Sequence, residues 1–258
     1  MSGPVALHGG AEFLQGDEPF LAALLELARA KVGPGVVIRI AIVPTAAARG
    51  RPDLAAANGV AAFERVSGVL GIDIEAAEVR VIDAASAADD DLAARLERAH
   101  VIHLPGGEPD LIPAILPGSN AWSAVRRAHD AGAVLAGASA GAMALATWCW
   151  TPTGGTAGLG IVPGLLVVPH ADHASWADAL ARFGGWAPAG LGALGLAEQT
   201  GAIAEDVTAG PIGRDARRVI RWRVVGPGEV RWRASLAAET LVLQAGATIE
   251  TGPSTGGC

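Results

Sequence analysis

Ser139 stands at the centre of Gly137-Ala138-Ser139-Ala140-Gly141, with an apolar run before it (133–138) and helix-compatible residues after it (142–148). A strand, a sharp turn carrying a central serine and a following helix are the layout of a nucleophile elbow, which pushes the hydroxyl out above a sheet edge. Small residues must flank such a serine because the turn is tight, and glycines at 137 and 141 let the incoming strand and outgoing helix approach closely. The amide of Ala140, at the helix start, can then point at a developing oxyanion. In a chain with 35 glycines the pentapeptide alone is a weak signal. The strand and helix beside it favour a nucleophile over a serine that merely fills a turn.

A serine nucleophile needs a base. Histidines occur at 8, 100, 103, 129, 170 and 173, and only His170 and His173 follow the elbow. His170 closes the apolar run 165–169 and so falls at a strand end, where a base is expected. His8 and His103 read as satisfied core or rim imidazoles, and His173 reads as a loop residue. His100 and His129 close helices, where partial positive charge suits the dipole. No Asp or Glu lies between Ser139 and His170, which excludes the serine–acid–histidine order of α/β-hydrolases for His170. The acid that orients the imidazole therefore comes after His170 or before the elbow. Asp172 offers a His-x-Asp arrangement. Glu198 ends another apolar run (191–197), again a strand end. Asp178 reads as a solvated helix face, and Glu205 and Asp206 as flanking a turn. A second oxyanion donor is expected from the turn at Gly106-Gly107, where the absence of a side chain lets a backbone amide reach a reacting carbonyl.

These groups need a scaffold. Apolar runs at 4–8, 36–44, 78–82, 101–104 and 133–138 read as short buried strands, and 18–31, 54–70, 87–98 and 122–131 as helices. Strands alternating with helices predict a mostly parallel twisted sheet with helices on both faces. Ligands in such sheets bind at the carboxyl ends of the strands, where the Gly9-Gly10 turn, the Gly106-Gly107 turn and the elbow all fall. Beyond residue 200, short strands at 200–207, 210–212, 217–225, 230–233 and 239–243 read as antiparallel additions on the sheet edge. With no internal repeat and no linker, residues 1–250 read as one domain and 251–258 as a flexible tail.

Composition narrows the function classes. The 258 residues carry a net charge of −7, and among 19 basic residues only Lys31 is lysine. No basic stripe is present, which argues against a nucleic-acid partner. Cys149 and Cys258 form neither a disulfide framework nor a metal-ligand spacing, so no metal and no cofactor is expected. The N-terminus lacks the pattern of a signal peptide, and each apolar stretch is interrupted too soon to span a bilayer, so no membrane association and a cytoplasmic location are expected. Of the tryptophans, Trp148, Trp150 and Trp176 fall near the site, with core or interface packing favoured over lining it.

Several segments in order resemble the aspartyl dipeptidase and cyanophycinase family of serine peptidases, the serine branch of the class I glutamine amidotransferase-like, flavodoxin-like fold. They are Gly9-Gly10-Ala11-Glu12, Gly106-Gly107, Gly137-Ala138-Ser139-Ala140-Gly141-Ala142, 158–164 (Gly-Leu-Gly-Ile-Val-Pro-Gly), the spacing to His170, and Gly195-Leu196-Ala197-Glu198. The resemblance implies a Ser139–His170–Glu198 triad, with oxyanion amides from Gly107 and Ala140, acting on a peptide or isopeptide bond in a small peptide. It also suggests a homo-oligomer. The chain departs from the family at Glu108-Pro109, where Asp or Asn and then Gln or Thr are usual, and at Val168, where Asp or Asn precedes the histidine by two. After His170 the first cation is Arg182 rather than an Arg-rich stretch. Glu108, Asp172 and His173 are the candidates for substrate contact, with Glu108 suited to a cationic group such as an α-amine. The alternatives are a catalytically altered relative that binds a ligand or partner, and an esterase or acyl transferase on the same triad.

Overall fold

The computed structural model describes residues 2–183, 185–208 and 219–251. The helices among them are α1 (Glu18–Val32), α2 (Pro52–Leu70), α3 (Ala84–Ala87), α4 (Asp90–Glu97), α5 (Leu111–Ile115), α6 (Asn120–Asp130), α7 (Ala140–Leu145) and α8 (His173–Phe183). The strands before the last helix are β1 (Val5–His8), β2 (Ile38–Ile42), β3 (Ile74–Glu78), β4 (Val101–Leu104), β5 (Val134–Ala138), β6 (Ala146–Thr151), β7 (Gly154–Ala157) and β8 (Val162–Val168). Those after it are β9 (Gly192–Leu196), β10 (Gly201–Thr208), β11 (Val219–Val225), β12 (Val230–Arg233), β13 (Leu241–Leu243) and β14 (Thr248–Thr251).

The strands form two sheets. The first has eight, in the order β14-β11-β10-β1-β5-β4-β2-β3. Its β1, β5, β4, β2 and β3 are mutually parallel, whereas β10, β11 and β14 extend it antiparallel from β1. Every residue of β1, β4 and β5 is buried, as expected of parallel strands covered on both faces. On one face α1 and α2 bury Phe20, Leu24 and Phe63 against Ile38, Ile40 and Ile42. On the other, Trp122, Val125 and Met143 from α6 and α7 pack with Leu104 and Leu135.

The second sheet has six strands, β13-β12-β9-β8-β6-β7, and was not expected. Leu165, Val167, Leu194 and Trp232 of this sheet join Leu7, Leu104 and Leu135 of the first in one core, with α7 packed against strands of both sheets. Helix α8 covers its outer side, with Trp176 buried against Trp148, Leu166 and Val168. The antiparallel additions are thus shared: β10, β11 and β14 join the first sheet, β12 and β13 the second. Of the strand expected at 210–212, all residues lie outside those described, as do 252–258 of the expected tail.

Local differences have local causes. The apolar run 78–82 is not a strand. The edge strand is the more polar Ile74–Glu78, while Val79 and Val81 bury their side chains beyond its end. The helix expected at 87–98 starts later, at Asp90, where the Asp89 side chain caps it, and Ala87 instead ends the short α3 that Asp83 caps. The elbow helix stops at Leu145 and continues directly as β6. His173 opens α8 rather than sitting in a loop, and Glu205 and Asp206 lie within β10 beside a β-bulge.

Candidate active site

The site forms where the carboxyl ends of strands from both sheets meet. From the first sheet, β5 delivers Ser139 at a backbone of φ 48° and ψ −113°, a region that costs a non-glycine residue on the order of 1–3 kcal/mol. The Ser139 amide donates to the His8 carbonyl at 2.9 Å, which fixes the turn to the end of β1. Gly141 opens the way for α7: a methyl there would stand 2.0 Å from the Leu104 carbonyl oxygen.

The second sheet supplies the partners. His170 lies two residues past the end of β8 and Glu198 two past the end of its parallel neighbour β9. Ser139 Oγ lies 3.1 Å from His170 Nε2, and His170 Nδ1 lies 2.9 Å from Glu198 Oε1. His170, also at positive φ (51°), donates its amide to the Gly9 carbonyl, and the amide of Gln199 donates to the Gly10 carbonyl. Gly10 carries φ 116° directly beneath His170, where a Cβ would come within 2.2 Å of the imidazole ring.

Asp172 has a different position. Its carboxylate accepts the amide and hydroxyl of Ser175 at the start of α8, bonds that hold it below the usual carboxylate range. The hydroxyl of Ser175 also donates to the His170 carbonyl.

A cavity of about 400 Å³ opens beside Ser139. Its walls are Pro109, Met143, Trp150, Val168, Pro169 and Ala179, with Gly107, Ala140 and His170 at the reacting end. Asp178 and Arg182, one turn apart on exposed positions of α8, complete the rim with Ser175. Asp172 and His173 do not line it. Gly107 sits between this cavity and a second of about 420 Å³, bordered by Glu12, Phe13, Leu14, Arg51, Leu54 and Glu108. Glu108 faces that second space with its carboxylate paired to Arg49, which also reaches Asp110 at 2.9 Å.

Sequence reasoning placed Trp150 near the site but favoured packing over lining for it, and read Asp178 as a solvated helix face; both line the cavity. Trp150 is a site residue because the elbow helix ends early and β6 turns it inward, for which the sequence carries no local signal. The i, i+4 spacing of Asp178 and Arg182 on the segment after His170 is a signal that could have been used. Trp148 and Trp176 are core, as expected. Of the other histidines, His8 is buried with Nε2 2.8 Å from Asp17 Oδ1. His103 is buried against Phe13 and Phe63, and neither ring nitrogen has a hydrogen-bond partner among the described residues, so it is not the satisfied imidazole expected.

A serine held at a sharp strand-to-helix turn, in line with an imidazole and a carboxylate, on a flavodoxin-like α/β scaffold, places the molecule among α/β proteins of hydrolase type. The sequence profile of peptidase family S51 matches residues 7–203, so the chain belongs to that family, the aspartyl dipeptidase and cyanophycinase family, and is a peptidase. Among solved structures it resembles a peptidase from an acI-B1 Actinobacterium, at 24% identity and a TM-score of 0.71, over 96% of this chain and 97% of that one. A putative peptidase E from Listeria monocytogenes EGD-e is more distant, at 12% identity and a TM-score of 0.53, over 95% of this chain and 99% of that one. Both show the shared fold. No curated protein matches significantly. Among the described residues no helix is long and apolar enough to cross a membrane.

Proposed function

We propose that this peptidase hydrolyses a peptide or isopeptide bond in a small peptide substrate through a Ser139–His170–Glu198 triad. The observation that carries the reading is the unbroken chain of contacts from Ser139 Oγ through both nitrogens of His170 to Glu198 Oε1. For Ser139 to donate its proton to Nε2, the imidazole must carry its own proton on Nδ1, and Glu198 is placed to accept that bond and to favour the imidazolium that follows.

The steps balance as for other serine hydrolases. Ser139 Oγ forms a bond to the carbonyl carbon while its proton passes to His170 Nε2. The amides of Gly107 and Ala140 receive the oxyanion. The carbon–nitrogen bond then breaks, and His170 gives its proton to the departing amine. Water repeats the sequence on the acyl-enzyme and restores Ser139. The two amides that flank Gly107 are already engaged, Gly106 N by Glu12 and Glu108 N by the Ala46 carbonyl, and Gly107 between them lines the cavity, which supports its amide as the second donor.

A screen of dipeptides and isopeptides with wild type and Ser139→Ala tests the reading. Wild type is expected to release amine and the variant to lose at least about 10³-fold in kcat with its fold retained. Full activity in Ser139→Ala ends the proposal.

A further inference from the structure

The segment between β1 and α1 touches every part of the site without supplying a reacting atom. The His8 carbonyl holds the Ser139 amide at 2.9 Å, the Gly9 carbonyl holds the His170 amide at 2.8 Å, and the Gly10 carbonyl holds the Gln199 amide, next to Glu198, at 2.9 Å. Glu12 reaches across the cleft, its Oε1 accepting the Gly106 amide at 2.7 Å. The segment is also under local strain, with Ala11 at φ 55° and Phe13 at φ 69°. Such geometry persists only where the surroundings over-determine it. The fastening here is buried: Asp17 accepts the Phe13 amide on one oxygen at 2.9 Å and faces His8 Nε2 with the other at 2.8 Å. His8 Nδ1 in turn accepts the Gly10 amide at 3.3 Å. Both side chains are fully inaccessible to solvent.

Glu12 is half-buried, and a methyl on Gly106 would lie 3.0 Å from both Glu12 Oε1 and Ser139 Cβ. One peptide plane thus separates the Glu12 contact from the Gly107 amide. The rotation of that plane decides whether the amide faces the carbonyl under attack.

We propose that Glu12 is a positioning residue that sets the Gly106–Gly107 turn, and that residues 9–17, fastened by the buried His8–Asp17 pair, form a strap that holds this turn in register with Ser139, His170 and Glu198. The proposal rests on the Ser139 reading above. What Glu12 contributes is an acceptor at the right reach rather than a negative charge. Glu12→Gln keeps a carbonyl oxygen at that reach, whereas Glu12→Asp keeps the charge and withdraws the oxygen by one methylene.

The test is the rate of phosphonylation by an alkyl fluorophosphonate, in which the Ser139 Oγ–phosphorus bond forms and fluoride leaves, resolved into kinact and KI. Wild type is expected to be labelled at Ser139. Glu12→Asp should lose roughly ten- to a hundredfold in kinact, less than the 10²–10³ of a deleted oxyanion donor, with KI within about threefold. Glu12→Gln should stay within about threefold of wild type in both. A merely structural role would lower the unfolding temperature without separating kinact from KI. Equal rates for wild type and Glu12→Asp overturn the strap while leaving the triad standing, and so does a Glu12→Gln as slow as Glu12→Asp. Glu12→Ala provides the same contrast if Glu12→Asp fails to fold. A wild type that is never labelled removes the Ser139 reading, and the strap's role with it.

Discussion

Glu198 and Asp172 illustrate how a carboxylate's role follows from what it already holds. Asp172 is occupied by two bonds from Ser175, so it caps a helix. Glu198 meets the imidazole instead. In Glu198→Gln the amide NH₂ can donate to Nδ1, which drives the proton to Nε2 and deprives Ser139 of its acceptor. The expected loss is at least about 10²-fold in kcat, measured in steady state on any peptide the wild type cleaves, and the much larger cost of a wrong tautomer in other serine proteases sets the scale. Asp172→Asn should stay within about threefold, because an amide oxygen still caps Ser175. A large loss in Asp172→Asn with an active Glu198→Gln would reverse the assignment. The proximity of Glu198 to His170 was only partly legible in the sequence. Strand-end placement favoured it and the resemblance selected it, but nothing local in the chain says that β8 and β9 are parallel neighbours.

At the scale of elements, the turns at strand ends were the most readable part. Gly137-Ala138-Ser139-Ala140-Gly141 announces its geometry because only small residues fit where β5 and α7 approach. Gly141→Ala should therefore be costly. Its methyl would meet the Leu104 carbonyl oxygen at 2.0 Å, and backbone cannot move aside cheaply. A loss of about 2 kcal/mol or more is expected in urea unfolding, in the range of overpacked cores, with activity falling as the elbow shifts. An unchanged midpoint would show that α7 can slide away from β4. The less readable elements were those whose fate depends on partners. Val79 and Val81 bury their side chains just beyond Glu78, where the ladder ends. Residues 146–157 form β6 and β7 in a second sheet, where the first of them were expected to prolong the elbow helix although Thr147, Trp148, Trp150 and Thr151 suit a strand. Periodicity cannot report such outcomes, because it reads burial and not the identity of the neighbour.

At the scale of the whole molecule, burial of ionisable groups sets the acid limit of the fold. His103 sits at the end of β4 inside the aromatic cluster of Phe13 and Phe63. Burial, with a smaller contribution from nearby His8, pushes its imidazole from 6.5 down to about 3. The unfolded chain therefore binds a proton that the folded chain refuses between these values. Stability is complete above about 6.5 and declines as pH falls toward 3, by at most about 1.4 kcal/mol per unit. His103→Leu removes this dependence. Urea midpoints at pH 7 and pH 5 should fall further apart in wild type than in the variant, and parallel shifts would show that His103 is solvated in solution.

The division of labour between the sheets has one more consequence. His170 and Glu198 hang from the ends of adjacent strands, and the chain that joins those strands is α8, which carries Asp178 and Arg182 on the rim of the cavity. The proposed reacting groups are thus anchored to the sheet, while part of the cavity rim rides on the connection between them. Such a connection can change its sequence, or be exchanged whole, without asking Ser139 and His170 to move. A lineage built this way can vary its diet while conserving its teeth.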